Sequence, residues 1–213
     1  MGHSRLGDLP TSKKWSAVVS TIAAPGGGAE THSALADGVE TIAHQALEAA
    51  EGGIIAAFDD PGLRYTFYLL TQLVLAGRET DWERRLAATG IHLAKDDSLF
   101  DLTAQLQRAI EEHLQTRGGP TDTSEMAQQA AGEAISALTA PNVQTLFGSG
   151  RNELLDALRR LSTKTGFARL GQLFFARFMS RFLNFYLSRM TAACVGSDRL
   201  HNIGEVARFD EAL

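Results

Sequence analysis

An all-α fold follows from three features of this 213-residue sequence. Apolar residues recur at intervals of three and four, capping residues open those segments and Gly or Pro closes them, and alternating stretches of strand type are thin. The expected architecture is an irregular multi-helix bundle of about seven to nine helices around one long aromatic-rich C-terminal helix. Residues 1–10 read as a flexible N-terminus, residues 11–195 as a single helical domain, and residues 196–213 as a C-terminal segment.

Thr11 or Ser12 caps a first helix carrying Trp15, Val18, Val19 and Ile22, which Pro25 and three glycines end. Between Glu30 and Glu51 the residues Leu35, Val39, Ile42, Ala46 and Ala49 form an apolar stripe. Asp37, Glu40, His44, Glu48 and Glu51 lie opposite, and Gly52-Gly53 is expected to stop this second helix. Asp60-Pro61 is a strong start signal, because Asp accepts from free amides and Pro lacks only an amide that would go unpaired. The run from Leu63 to Ala76 is apolar on nearly every side, as befits a central helix.

A short helix at Trp82 to Ala88 precedes Gly90. Ser98 and Asp101 then stand at capping-box spacing before Phe100, Leu102, Leu106, Ala109, Ile110 and Leu114, and Gly118-Gly119-Pro120 closes that helix. Asp122 and Glu125 repeat the spacing ahead of a small-residue face, Ala127, Ala130, Ala131 and Ala134, which Pro141 ends. After Gly148-Ser149-Gly150 comes a helix with Leu154, Leu155, Leu158 and Leu161 inward, then a hinge at 162–166 and a final helix from about Phe167 to Cys194. The segments Gly53 to Phe58 and Ile91 to Leu93 are short and lack alternation, so they are loop or helix. Residues 206–213 read as the opening of a further helix, and the natural chain is expected to continue.

A formal charge of −5 argues against a wholesale nucleic-acid coat. The charge is uneven, however: residues 1–150 carry 10 basic and 19 acidic side chains, and residues 151–189 carry 8 and 2. An anionic partner would meet the last third. The single cysteine, Cys194, excludes an internal disulfide and reads as a small buried residue in a reducing, cytoplasmic setting. The greasiest stretch, Leu170 to Met190, is interrupted by Arg177, Arg181 and Arg189, so no membrane span is expected.

At 100° per residue, Phe167, Phe174, Phe175, Phe178, Phe182, Phe185 and Tyr186 share a broad arc of the last helix, most simply as core. Arg177, Arg181, Asn184 and Ser188 fall on the other side. With Arg159, Arg160 and Lys164 they are the candidates for binding an anion or an acidic partner, because guanidinium groups one turn apart can each grip an oxyanion. Solvated surface, or pairing with the acidic part of the same chain, is the competing account. Glu40, His44 and Glu48 stand four apart and are weak metal candidates, but the Glu-x-x-His signature of carboxylate bundles does not occur and no cofactor is expected. Walker, Gly-x-Ser-x-Gly and Ser-x-x-Lys patterns are also missing, so no catalytic residue is assigned.

The stretch 174–189 (FFARFMSRFLNFYLSR), with Leu9-Pro10-Thr11-Ser12-Lys13-Lys14-Trp15, resembles uncharacterised all-helical bacterial proteins of the kind encoded beside ATPases and nucleases in defence islands. That resemblance implies an accessory subunit. The leading expectation is a non-catalytic helical adaptor with a protein partner. The alternatives are nucleic-acid binding through residues 151–189, and an enzyme or metal bundle without a linear motif.

Overall fold

The structure, a computed structural model, describes residues 13–23, 32–94, 97–139 and 151–193. The described residues form eight helices and no strand: α1 (Lys13–Ala23), α2 (His32–Ala57), α3 (Pro61–Ala76), α4 (Trp82–Ala87), α5 (Leu99–Gln115), α6 (Asp122–Thr139), α7 (Arg151–Leu161) and α8 (Lys164–Ala193). The all-α bundle read from the sequence is therefore the fold observed. Outside the described residues lie segment 1–10, the Thr11 or Ser12 cap, the Pro25 and Pro141 stops, the Gly148-Ser149-Gly150 loop, Cys194 and segment 196–213. The chain packs as two compact units, Ala57–Met179 and Met1–Ala56 with Ser180–Leu213, and α8 contributes residues to each.

In the unit Ala57–Met179, α3 is the hub, packing on α4, α5, α6 and α7. One carboxylate oxygen of Asp60 accepts from the amides of Gly62 (2.8 Å) and Leu63 (2.9 Å), the cap expected ahead of Pro61. Its other oxygen accepts from the Thr121 hydroxyl at 2.7 Å, tying the start of α3 to the start of α6. Thr121 and Ser124 cap α6 reciprocally: each side-chain oxygen accepts from the other's amide, at 3.0 and 2.8 Å. The α6 box is thus Thr121 with Ser124, one residue ahead of the expected Asp122 and Glu125, because Thr121 supplies the first carbonyl of the helix, to Glu125. At this junction a Cβ on Gly62 would stand 2.3 Å from the Ser124 Cβ. The small face of Ala127, Ala130, Ala131 and Ala134 is wholly buried, as expected of a close helix pair.

Helix α5 carries the capping box read from its sequence. The Ser98 amide donates to Asp101 Oδ2 at 2.8 Å and the Asp101 amide donates to Ser98 Oγ at 3.3 Å. Leu102, Leu106, Ala109, Ile110 and Leu114 are buried, whereas Phe100, expected among them, is 77% exposed. The reason is geometric: Phe100 is two residues from Leu102, about 200° round the helix. Helix α4 closes on a Schellman motif, in which Gly90 takes φ +87°, the Ile91 amide donates to the Leu86 carbonyl at 3.1 Å, and both apolar side chains are buried.

The expected hinge at 162–166 is shorter in the structure. Helix α8 begins at Lys164, with Thr163 Oγ1 accepting from the Gly166 amide at 2.9 Å. A Cβ on Gly166 would stand 2.1 Å from the Arg160 carbonyl oxygen, so the glycine permits the tight α7–α8 turn. The Arg78 guanidinium closes the end of α7 by donating twice to the Ser162 carbonyl, at 2.7 and 3.0 Å. Phe174 and Phe178 are wholly buried and are core, whereas Phe175, whose ring lies 5.2 Å from that of Phe67, is half-buried.

In the unit Met1–Ala56 with Ser180–Leu213, the buried residues include Trp15 and Val18 of α1, Ile42, Ala46 and Ala50 of α2, and Phe182 and Leu187 of α8. Thr21 Oγ1 donates to Gln45 Oε1 at 2.9 Å and Lys14 Nζ donates to the Glu48 carbonyl at 3.3 Å, which makes α1 and α2 antiparallel. Gly52-Gly53 does not stop α2, which runs on to Ala57. A Cβ on Gly53 would meet Phe182 at 3.2 Å, so packing on that ring compensates for the roughly 1 kcal/mol by which glycine disfavours a helix.

Candidate partner-binding surfaces

The basic residues singled out in the sequence lie at the α7–α8 turn and further along α8. Arg159, Arg160 and Lys164 gather at the α7–α8 turn, where all three are exposed. Arg159 pairs with Asp156 one turn back at 3.6 Å, while among the described residues no carboxylate lies within 4 Å of Arg160 or Lys164. Arg169, one turn further along α8, is also exposed. Arg177 turns to α6, where its Nε stands 3.9 Å from Glu133 Oε2. This is the internal pairing that competed with the anion-binding account.

Arg181 and Asn184 belong to the other unit, and both are half-buried. Ser188 lies on α8 with a side chain outside the described set. The α7–α8 turn, with Arg159, Arg160 and Lys164, is the most local grouping among these candidates.

Of the weak metal candidates, His44 and Glu48 are exposed and stand 3.8 Å apart on α2, and the Glu40 side chain is outside the described set. Among the described residues no three His, Cys, Asp or Glu side chains converge as metal ligands would. No described helix is long and apolar enough to cross a membrane.

The outer edge of α2 carries a surface that the apolar stripe of that helix did not announce. Leu47 is 47% exposed and Ile55 is 63% exposed. At 100° per residue they share an arc of about 100° with His44, Glu48 and Glu51. Glu51 Oε2 is 3.8 Å from Lys14 Nζ, a contact that screens one side of this edge only weakly. The signal was available in the sequence: Leu47 follows the inward Ala46 by one position and therefore points elsewhere.

A third feature joins α3 to α5. The His113 ring stacks on Tyr65 with centroids 3.6 Å apart and planes 4° from parallel, and Tyr68 continues the stack at 5.7 Å. Burial raises the Tyr65 phenol above its usual pKa, with the nearby Tyr68 and Glu112 adding to the effect. Burial, and then the charge of Arg117, lowers that of His113. The neutral forms of both rings are thereby favoured, as suits a packing contact. The pairing of the two rings is not legible in the sequence, because residues 48 apart reveal no contact by spacing.

Comparison with protein-family models, with curated proteins and with solved structures finds no match to this chain.

Proposed function

We propose that the chain is a non-catalytic, cytoplasmic helical adaptor, an accessory subunit of a bacterial multi-protein assembly of the kind encoded in defence islands. The observation that carries the adaptor reading is the α2 edge, where Leu47 and Ile55 stand in solvent with Glu48 and Glu51 between them along the helix. Isolated exposed apolar side chains are ordinary, but two on one helical arc that also carries two carboxylates form a pattern suited to a partner. Affinity capture from the native cell tests this, with the wild-type chain beside a Leu47→Glu/Ile55→Glu variant. A protein retained at moderate salt, resistant to nuclease, and at least about tenfold depleted on the variant is the expected result. Equal capture by both chains overturns the role given to the edge.

A second reading is nucleic-acid binding at the α7–α8 turn, favoured by the exposure of Arg160, Lys164 and Arg169 and by the lack of any Asp or Glu between Asp156 and Asp198. It requires an affinity that falls steeply with salt and is lost in an Arg160→Glu/Lys164→Glu variant. Salt-insensitive binding, or none near physiological ionic strength, removes it.

A further inference from the structure

Two surfaces of this one chain have matching chemistry. The first is the α2 edge, apolar at Leu47 and Ile55 and acidic at Glu48 and Glu51. The second lies in the unit Ala57–Met179. Phe58 is 45% exposed there, and its ring is 6.0 Å from that of half-buried Phe175. Phe175 lies 5.2 Å from Phe67, which reaches Phe167 at 6.5 Å. These rings present a half-open aromatic patch rather than a closed core.

On α8, Lys164, Ala168, Gly171 and Phe175 recur at intervals of four, three and four, so the patch and Lys164 share one flank of the helix. Arg159 and Arg160 continue the positive charge into the last turn of α7. Asp59, the acid beside Phe58, is already held by Arg64, and among the described residues Asp156 meets Arg159 alone, at 3.6 Å.

We propose that the α2 edge of one molecule docks on the Phe58–Phe175 patch of a second copy of this chain. Leu47 and Ile55 then cover the aromatic rings, and Glu48 and Glu51 face Lys164 and Arg160. Charge complementarity selects a second copy over an unrelated partner: the acidic-apolar and basic-apolar faces stand on one molecule, each exposed and with opposite sign. Because the two faces differ, the contact is head to tail, and it propagates until a ring closes or a filament grows. The inference rests on the adaptor reading of the α2 edge and names the partner of that edge.

The test is sedimentation of the full chain over a range of concentrations, at salt from about 0.05 to 0.3 M. Four samples are compared: wild type, Glu48→Lys/Glu51→Lys, Arg160→Glu/Lys164→Glu, and an equimolar mixture of the two variants. All substitutions are at exposed positions, and unchanged circular dichroism verifies the fold. The wild type is expected to rise above the 23.0 kDa of one chain with concentration, less so at high salt. Each variant alone should stay at one chain, and the mixture should recover the larger mass, because each reversed face meets its complement.

A wild type that stays at one chain throughout overturns the proposal, as do variants that associate like wild type or a mixture that fails to recover. The adaptor reading is judged separately. If the wild type is monomeric while capture of another protein still depends on Leu47 and Ile55, that reading stands and self-docking falls.

Discussion

Helices α2 and α3 are both apolar segments that contain glycine, yet they treat the same residue types in opposite ways. On α3, Leu69, Leu70 and Leu73 are wholly buried, and Gly62 is pressed against Ser124 of α6. On α2, Leu47 and Ile55 stand largely in solvent, and Gly52 has nothing within 4 Å of where a Cβ would be. Composition does not separate the two; the number of neighbours does. A helix surrounded on all sides puts every apolar group into stability, whereas a helix with an open edge leaves some of them for recognition.

The comparison is broken most directly by truncating one leucine on each helix. Leu69→Ala should destabilise the fold by about 3 kcal/mol or more, since it opens a cavity among residues that cannot collapse onto it. Leu47→Ala should alter stability by less than about 0.5 kcal/mol while weakening partner capture. Urea denaturation of both variants measures the difference, and comparable losses would mean that the α2 edge is structural after all.

The glycines sharpen the same point through a reversal of sign. Gly62→Ala should cost about 2 to 3 kcal/mol, because a Cβ 2.3 Å from that of Ser124 forces the starts of α3 and α6 apart. Gly52→Ala, inside a helix with open space beside it, should instead stabilise by about 0.5 to 1 kcal/mol through helix propensity. Thermal midpoints moving in opposite directions are the expected outcome; a loss in both would place an unseen contact beside Gly52.

Local chemistry was legible in the sequence where the deciding atoms are neighbours in the chain. The Asp60-Pro61 start and the Ser98–Asp101 box are of this kind, as is the Ala-rich face of α6. Elements were misread where a distant residue decides. Gly52-Gly53 resembles a stop until Phe182 is seen to pack on Gly53, and the α6 cap shifts to Thr121, whose hydroxyl also donates to Asp60.

The candidate site was less legible for the same reason. Arg177 and Arg181 stand one turn apart in sequence, yet Arg177 is drawn to Glu133 of α6 and Arg181 is half-buried. Arg159, Arg160 and Lys164 are all exposed and stand together, because the turn that gathers them is local.

The smallest expected effect concerns one of those local devices. The Ser98 hydroxyl, and then its backbone amide, donate to Asp101 and hold its carboxyl below the ordinary value of 3.8. A carboxylate whose pKa is lowered by folding adds stability that is present above its unfolded value and lost as pH falls through the folded one. Asp101→Asn should therefore cost about 1 kcal/mol at neutral pH, by weakening the box. The gap between variant and wild type should narrow below pH 3.8, where the wild type loses the same ionised acceptor. Urea midpoints at neutral pH and near pH 3 read this out. A gap of the same size at both would show that the box holds α5 by shape and hydrogen bonding alone, with no contribution from the charge on Asp101.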